Sequence, residues 1–389
     1  MGLLTAVTVA GLLAGGMGAA LLGSVKLALA RKLEMDEARV GGLISVFGLA
    51  MIPVILSAGF ITDLVGKQPV VVGSCLLMAV SFAVLGGARK YWMALVGVVL
   101  LSAAWAALIN VINPMAAITF GGSKAFSMNL ACFFFGTGAF VTPLLVAFLL
   151  RHLGLTKALV LLGGLLLVPV ILGAIGDFSL LAAPAAEAAG DAAAAPAGIA
   201  SLLRDPVMWL CTFALLFYGP LEAATGAWTT TYLSENKVSE GAAAGLLSAF
   251  WLSYTASRLA TALADKVFQF PPGSEAMMML VLGVATVAVL SGIVFGHGRG
   301  WAIAMVIAAG IFFGPIFPSI MAVLLGHFPE SLHGRAVGLL FAIGGIGTVT
   351  IPAAMGAYAK RTSVQRGFLI AVGSAVGLTV VSLILVLRG

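Results

Sequence analysis

The chain contains little charge. Asp, Glu, Lys and Arg make up 9% of its 389 residues, whereas hydrophobic residues make up 61%. A soluble globular protein carries about 25% charged residues. Because so few charged side chains cannot cover an aqueous surface, the composition excludes a soluble globular protein and predicts an integral membrane protein. Its long apolar runs favour membrane-spanning helices over the short alternating segments of a β-barrel.

The chain also has few cysteines and no nucleotide-binding signature. Cys75, Cys132 and Cys211 each lie within an apolar run, and their spacing fits neither a disulfide framework nor a zinc site. The P-loop pattern G-x-x-x-x-G-K-[ST] is absent. The net charge of +6 comes from bases scattered along the loops, which does not favour a nucleic-acid partner. We therefore expect no cofactor, no metal site and no enzymatic activity.

Twelve apolar stretches are long enough to cross a bilayer, which requires about 20 residues each. We number them span 1 to span 12. This pattern predicts an all-α integral membrane fold with twelve transmembrane helices. The spans cover residues 4–30, 40–62, 70–88, 92–117, 125–150, 158–177, 207–233, 241–264, 275–295, 301–325, 335–358 and 366–387.

The two halves of the chain resemble each other. "GTGAFVTP" at 136–143 and "GIGTVTIP" at 345–352 share the pattern G-x-G-x-x-x-x-P, and an aspartate follows both span 2 and span 8. The segment between the halves is rich in Ala, Pro and Gly and reads as a linker with a short helix near 198–205. Such a repeat predicts two pseudo-symmetric six-helix bundles with a substrate site between them. The bundles are expected at 1–177 and 207–389, with the linker at 178–206.

The loop after span 2, "GFITDLVGKQP", resembles the signature of the major facilitator superfamily of transporters, roughly G-x-L-A-D-R-x-G-[RK]-[RK]. In this resemblance Leu64 replaces the usual arginine. The resemblance implies that the matching residues, together with the aspartate after span 8, form loops that control the conformational change. These residues are Gly59, Asp63, Gly66, Lys67 and Asp265.

Residues 110–145, 217–233 and 314–326 resemble the fucose–galactose–hexose proton symporter branch of that superfamily. This resemblance implies symport of a small polar solute, with a sugar favoured. Fucose-type members of the branch carry two acids for proton coupling. Those positions hold Ser24 and Ile109 here, so that coupling chemistry cannot be transferred to this chain.

Three ionisable residues lie within the spans, where each is costly and therefore a functional candidate. Glu222, near the middle of span 7, is predicted to be the proton-coupling residue, with a structural hydrogen bond or ion pair as the alternative. Arg258 in span 8 is predicted either to hold an anionic group, to pair with Glu222 or to be architectural. Lys26 in span 1 either reaches the headgroup region or faces the cavity, and the second possibility favours an anionic substrate.

Further polar and aromatic side chains within the spans are candidates for substrate binding. Tryptophan rings can stack on a sugar, and buried amides can bind its hydroxyl groups. Helix packing and interhelical hydrogen bonds are the alternatives. With the two bases, the candidates are Lys26, Trp105, Asn110, Asn113, Asn129, Tyr218, Trp228, Trp251, Tyr254 and Arg258.

The combined pattern predicts a monomeric, proton-coupled secondary transporter of the plasma membrane, with both termini cytoplasmic. Two alternatives are transport of an organic anion through Lys26 and Arg258, and efflux of lipophilic compounds. A receptor without transport activity is a third. In the expected orientation the cytoplasmic loops hold six Lys or Arg residues and the opposite loops hold twelve, which is the reverse of the positive-inside rule.

Overall fold

The computed structural model describes residues 2–181, 195–271 and 273–388. In these residues the chain forms fifteen α-helices, two short 3₁₀ helices and no strand, which confirms the all-α fold class. The helices are α1 Gly2–Lys32, α2 Glu37–Val65, α3 Lys67–Gly87, α4 Tyr91–Thr119, α5 Lys124–Leu165, α6 Leu167–Ile175, α7 Ala195–Arg204, α8 Pro206–Glu235, α9 Glu240–Phe268, α10 Ser274–Phe295, α11 Arg299–Phe313, α12 Ile316–His327, α13 His333–Gly344, α14 Gly347–Ala359 and α15 Val364–Arg388. The 3₁₀ helices are Ser179–Leu181 and Glu330–Leu332.

Nine helices in the described part of the chain are long and apolar enough to cross a membrane. One of these nine segments, Lys124–Ile175, combines α5 and α6; its 52 residues extend about 78 Å at 1.5 Å per residue, which is enough for two crossings. Gly154, with φ 72° and ψ 170°, interrupts it between spans 5 and 6. The short helix expected in the linker is α7, whereas residues 182–194 of the linker lie outside the described residues.

Spans 10 and 11 are each divided into two helices, which differs from the continuous helices expected from the sequence. Span 10 changes from α11 to α12 at Gly314 and Pro315. The absence of a backbone N–H at Pro315 and again at Pro318 removes two helical hydrogen bonds from this span, those to the carbonyl groups of residues 311 and 314. Span 11 changes from α13 to α14 at Gly345 and Ile346, where a turn with a hydrogen bond from the Thr348 amide to the Gly345 carbonyl replaces the α-helical pattern.

The described residues separate into two compact units. The first comprises Met1–Gly121, Phe134–Ala195 and Glu330–Gly338, and the second comprises Gly122–Phe133, Pro196–Pro329 and Leu339–Gly389. Two short segments, the beginning of α5 and the beginning of α13, are therefore grouped with the helices of the other half of the sequence. The expected bundle boundaries at 1–177 and 207–389 remain a prediction.

Glycines permit a close helix crossing in each unit. In the first unit, a Cβ atom at Gly138 of α5 would collide with the carbonyl oxygen of Leu13 on α1. In the second unit, a Cβ atom at Gly347 of α14 would collide with the carbonyl oxygen of Leu216 on α8. The two glycines are the corresponding residues of the repeated G-x-G pattern. The internal repeat of the sequence therefore corresponds to a repeated packing contact.

Helix α8 is central in the second unit. It packs against α9, α11, α12, α14 and α15. Its N-terminus is capped by Asp205, whose side chain accepts a hydrogen bond from the Val207 amide. Its interior carries the acid Glu222 together with a series of hydroxyl groups. The core of the second unit is therefore built around a helix that contains several polar side chains.

Candidate functional site

Glu222 is joined to two tyrosines in the second unit. The hydroxyl group of Tyr254 on α9 donates a hydrogen bond of 2.8 Å to Glu222 Oε2, and the hydroxyl group of Tyr218 lies 3.3 Å from the same oxygen. The two tyrosine hydroxyl oxygens are themselves 2.8 Å apart. Both tyrosines are buried and Glu222 is half-buried. In the described residues Glu222 forms no ion pair, so its partners are neutral hydroxyl groups.

Arg258 approaches this acid through Tyr254. Its Nη2 donates a short hydrogen bond to the Tyr254 hydroxyl, and its guanidinium carbon lies 4.1 Å from the centroid of the Tyr254 ring. Nε donates to the Gly314 carbonyl at 2.9 Å and Nη1 donates to the Cys132 carbonyl at 3.3 Å. Each guanidinium nitrogen therefore has a protein acceptor. Arg258 is thus held by backbone and tyrosine oxygens, and it reaches Glu222 through one hydroxyl group.

The Gly314 carbonyl, which accepts from Arg258 Nε, lies where span 10 is divided. The missing N–H of Pro318 leaves the Gly314 carbonyl without its helical partner, and Arg258 Nε supplies a donor there. Tyr218 donates a hydrogen bond of 3.1 Å to the neighbouring Phe313 carbonyl. A bilayer offers no water to such groups, so side chains must satisfy them. We name Tyr218, Glu222, Tyr254 and Arg258 the acid–base cluster; it links α8 and α9 to the break between α11 and α12.

The three predicted tryptophans lie in different surroundings. Trp105 donates from Nε1 to the Gly15 carbonyl at 2.9 Å and so links α4 to α1 in the first unit. Trp251 lies beside the acid–base cluster, with its ring centroid 5.4 Å from that of Tyr254. Trp228 packs against Gly356 of α14, and its indole N–H has no hydrogen-bond partner in the described residues. Of the three, Trp251 is the one that contacts the acid–base cluster.

The three predicted asparagines donate to backbone carbonyl groups. Asn110 bonds the Ile55 carbonyl at 3.2 Å and the Gly334 carbonyl at 2.9 Å in the first unit. Asn113 and Asn129 each donate to the carbonyl four residues earlier in their own helix, at 2.9 and 3.0 Å. All three are buried. Their amide groups therefore make structural contacts, and a role in substrate binding remains a prediction.

Lys26 is exposed on α1 and makes no hydrogen bond or ion pair in the described residues. Leu27 beside it is 64% exposed, so this part of α1 carries both apolar and charged surface. Ser24, at the position of a coupling acid in fucose-type relatives, donates to the Ala20 carbonyl of its own helix. Lys26 is therefore an accessible ammonium group, and whether it contacts substrate or lipid headgroups remains a prediction.

The signature loop of the first unit forms an ion pair. Arg335 Nη2 lies 2.7 Å from Asp63 Oδ2, and the Arg335 guanidinium also lies 5.0 Å from the ring centroid of Phe60. Gly59 permits the approach, because a Cβ atom there would lie 2.7 Å from the Arg335 amide nitrogen. Gly66 has a φ of 87°, which a glycine adopts readily, where α2 turns into α3.

The remaining loop residues hold nearby backbone. Lys67 donates from Nζ to the Leu181 carbonyl at 2.7 Å, which ties the beginning of α3 to the 3₁₀ helix after α6. Asp265 in the second unit is buried and accepts a short hydrogen bond from the Ser123 hydroxyl and one of 3.1 Å from the Phe270 amide. The two aspartates of the internal repeat thus have different partners, an arginine for Asp63 and a serine for Asp265.

The structure adds partners that the sequence analysis missed. Arg335 and Ser123 are far along the chain from the aspartates they contact, and no local pattern indicates the pairing. The backbone carbonyl groups of Phe313 and Gly314 cannot be recognised as acceptors from the residue types at these positions. The prolines after them predict only that some carbonyl group in this segment lacks its helical donor. No group of three or more His, Cys, Asp or Glu residues that could hold a metal occurs in the part of the chain that the structure describes.

The membrane-spanning helices, the internal repeat and the charged loop define a helical multi-pass membrane protein of the transporter class. The sequence matches the Major Facilitator Superfamily over residues 7–352, and the chain belongs to that superfamily. This membership confirms the predicted resemblance and the prediction of a transporter rather than an enzyme.

Solved structures of superfamily members are similar to this chain. An alanine variant of the E. coli fucose:proton symporter FucP has a TM-score of 0.79 and 16% identity, covering 98% of both chains. FucP in the outward conformation has a TM-score of 0.80 and 17% identity, also covering 98% of both chains. The human organic anion transporter MFSD10 (TETRAN) has a TM-score of 0.74 and 17% identity, covering 98% of this chain and 99% of that one. At these identities the likeness shows the fold.

One curated relative is Bypass of stop codon protein 6 from Saccharomyces cerevisiae. It is 32% identical over 174 residues, which is 43% of this chain and 35% of that protein. The matched part of this chain thus spans about a third of the length of that relative.

Proposed function

We propose that this chain is a secondary active transporter that moves a small polar solute, with a sugar favoured, by proton-coupled symport. The observation that carries the proposal is the half-buried carboxylate of Glu222, which lies in the middle of a membrane-spanning helix and is held by tyrosine hydroxyl groups instead of a cation. An acid at membrane depth that makes no direct ion pair in the described residues can gain and lose a proton without breaking one. The preference for a sugar rests on the likeness to FucP.

The tyrosines supply a hydrogen-bond pattern for each protonation state. When Glu222 is ionised, Tyr254 donates to it and accepts from Arg258. When Glu222 carries a proton on Oε2, that oxygen donates to Tyr254, Tyr254 donates to Tyr218, and Tyr218 donates to the Phe313 carbonyl. Every contact in both patterns is already within hydrogen-bond distance. Protonation of Glu222 thus reverses the hydrogen bond between Glu222 and Tyr254 and makes Tyr254 a donor to Tyr218, with no loss of a buried hydrogen bond.

In this proposal the protein works as a monomer in the plasma membrane, with both termini cytoplasmic. The two six-helix bundles alternately open one substrate site to each side of the membrane, as expected for parallel repeats of this kind. Binding of proton and solute together permits the change of state, and the proton gradient drives accumulation.

The proposal is tested by Glu222→Gln in the purified full chain, reconstituted in vesicles with an imposed proton gradient. A panel of neutral sugars, sugar acids and monocarboxylates first identifies the solute. We expect Glu222→Gln to abolish gradient-driven accumulation of that solute and to retain its exchange across the membrane without a gradient. Glu275→Gln, at the N-terminus of α10, is the matched control and should behave as the parent. Retained accumulation by Glu222→Gln would refute proton coupling through this residue.

Transport of an organic anion is the second candidate, and the observation that favours it is the exposed, unpaired ammonium group of Lys26. Arg258 contributes less to this candidate, because its three nitrogens already have protein acceptors. The same panel distinguishes the two candidates. If Lys26→Met selectively weakens uptake of sugar acids or monocarboxylates and no neutral sugar is transported, the substrate is an anion.

A further inference from the structure

Four polar side chains of α8 beyond Glu222 have buried atoms without a hydrogen-bond partner in the described part of the chain. They are Thr225 Oγ1, Trp228 Nε1, Thr229 Oγ1 and Tyr232 Oη. Thr225 and Thr229 are 1% exposed and Tyr232 is 0% exposed. Buried polar groups in proteins are satisfied by protein or by ordered water in the large majority of cases. So many on one helix require a common explanation.

The three hydroxyl groups continue one face of the helix from Glu222. Residues 222, 225, 229 and 232 are separated by three or four positions, which places them on one side of an α-helix. They extend over about 15 Å at 1.5 Å per residue. Ser234 and Glu235, which follow within the next turn, are exposed. We name Thr225, Thr229 and Tyr232 the hydroxyl row; it runs from Glu222 towards the exposed C-terminal end of α8.

A helical threonine has a simple way to satisfy its hydroxyl group, by donating to the carbonyl four residues earlier. Thr212, earlier on the same helix and also buried, does so, with a bond of 2.7 Å to the Met208 carbonyl. Thr225 and Thr229 do not form such a bond. Their hydroxyl groups are therefore free to bond to another partner, and Thr212 shows that the helix itself does not prevent the usual arrangement.

We infer that the hydroxyl row holds a chain of ordered water molecules that conducts protons between the exposed end of α8 and Glu222. This inference rests on the proposed role of Glu222 in proton coupling. Water fits the row better than a metal cation, because hydroxyl groups donate and accept whereas the neighbouring indole N–H of Trp228 donates only and cannot be a ligand. With the proposed orientation the exposed end of α8 faces the outside, which is where protons enter in a symporter.

The titratable groups around Glu222 come from three helices in the described residues. Tyr218 lies on α8, Tyr254 and Arg258 lie on α9, and Cys132, whose backbone carbonyl accepts from Arg258 Nη1, lies on α5. None of these groups forms a hydrogen bond to the hydroxyl row in the described residues. The row is therefore a separate route to the acid, which leaves the tyrosine–arginine contacts in place while the proton arrives.

The test uses the full chain in vesicles and measures how fast Glu222 responds to a sudden change of external pH. Time-resolved infrared spectroscopy follows the carboxylic acid band, which is assigned to Glu222 by its loss in Glu222→Gln. We expect the double variant Thr225→Val/Thr229→Val to slow this response several-fold, because valine keeps the shape and removes the hydroxyl groups. Thr212→Val is the matched control and should respond at the parent rate, since its hydroxyl group bonds its own helix.

Tyr232→Phe provides a second variant in case the double variant does not fold. It keeps the ring that packs 5.8 Å from Phe368 and removes only the hydroxyl group. A slower response in either row variant, with Thr212→Val unchanged, supports the water chain. An unchanged response in the folded row variants, or an equal slowing in Thr212→Val, overturns it. The infrared band reports the protonation of Glu222 and does not require transport, so it tests the water chain. The accumulation assay with Glu222→Gln tests proton coupling, and the two proposals can therefore fail separately.

Discussion

The hydroxyl group of Tyr254 lies between Arg258 and Glu222: it accepts from the guanidinium and donates at 2.8 Å to the carboxylate. A direct ion pair between the base and the acid would stabilise the ionised carboxylate and oppose its protonation. The Tyr254 hydroxyl group links the guanidinium to the carboxylate by hydrogen bonds, and the two charged groups form no direct ion pair. The fold therefore contains a membrane-embedded base and acid whose contact passes through one oxygen atom.

Tyr254→Phe should impair the protein more than Tyr218→Phe. Removing the Tyr254 hydroxyl leaves Arg258 Nη2 and Glu222 without a shared partner, and an unsatisfied buried group costs about 1–3 kcal/mol. Tyr218 donates to one acceptor at a time, and Glu222 keeps its bond from Tyr254 when the Tyr218 hydroxyl is lost. We expect a lower melting temperature in detergent and a lower accumulation ratio for Tyr254→Phe. Equal behaviour of the two variants would contradict the intermediate position of Tyr254.

The ion pair between Asp63 and Arg335 should be required for transport as a pair. Either Asp63→Asn or Arg335→Gln removes the ion pair between these two side chains, and Arg335 is only 14% exposed. A hydrogen bond to a charged group contributes about 1.5–3 kcal/mol, so each single variant should lower both the melting temperature and the uptake rate. The charge exchange Asp63→Arg/Arg335→Asp should recover part of the loss, as judged by a double-mutant cycle. Additive losses in that cycle would show that the two residues act independently.

Alanine at the repeated glycines should destabilise both units. In Gly138→Ala and Gly347→Ala the new methyl group would meet a backbone oxygen of the crossing helix. Overpacking of this kind costs about 1–3 kcal/mol or more. Gly164→Ala on α5 and Gly373→Ala on α15 are matched controls, because a Cβ atom there has no neighbour within 4 Å. In detergent, Gly138→Ala and Gly347→Ala should have lower melting temperatures than the two controls. Equal melting temperatures would mean that the crossing helices can move apart to accept the methyl group.

The composition and the length of the apolar stretches predict the helical membrane fold, because only helices and closed β-barrels can span a bilayer. The G-x-G repeat also predicts that the two halves correspond. In the structure, Gly138 and Gly347 each allow a close crossing with a helix of the same unit. The grouping of Tyr218, Glu222, Tyr254 and Arg258 is partly predictable, since helical spacing places each pair on one face of its helix.

The partners that come from distant parts of the chain are not predictable in this way. Arg335 reaches Asp63, and the Gly314 carbonyl reaches Arg258, through tertiary packing that no local pattern records. The division of span 10 cannot be predicted from hydropathy, because Arg299–His327 is long and apolar enough for one continuous span. Only the two prolines, at 315 and 318, indicate that carbonyl groups of span 10 need hydrogen-bond donors from outside this helix.

Asp205, which caps α8, should make the stability of the protein depend on pH in the acid range. Partial burial would raise the pKa of this carboxyl, but hydrogen bonds from His327 at 2.9 Å and from the Val207 amide at 2.7 Å outweigh it, so its pKa lies below the usual value. A carboxyl whose pKa is lowered by folding contributes stability that is fully present above its unfolded pKa, about 3.9, and is lost as the pH falls through the folded pKa.

Asp205→Asn tests this contribution, because asparagine keeps an oxygen that can accept from the Val207 amide and removes the charge. We expect the variant to be less stable than the parent by up to about 1 kcal/mol near neutral pH, which is the size of a charge effect at a helix N-terminus. The difference in melting temperature should begin to shrink as the pH falls below about 3.9 and should disappear once the pH is below the lower pKa of the folded carboxyl, where the parent is protonated in both states. Glu34→Gln is the control, since Glu34 is exposed and caps no transmembrane helix. A difference between Asp205→Asn and the parent that stays constant down to the lowest pH would show that the loss comes from altered capping geometry and not from the charge.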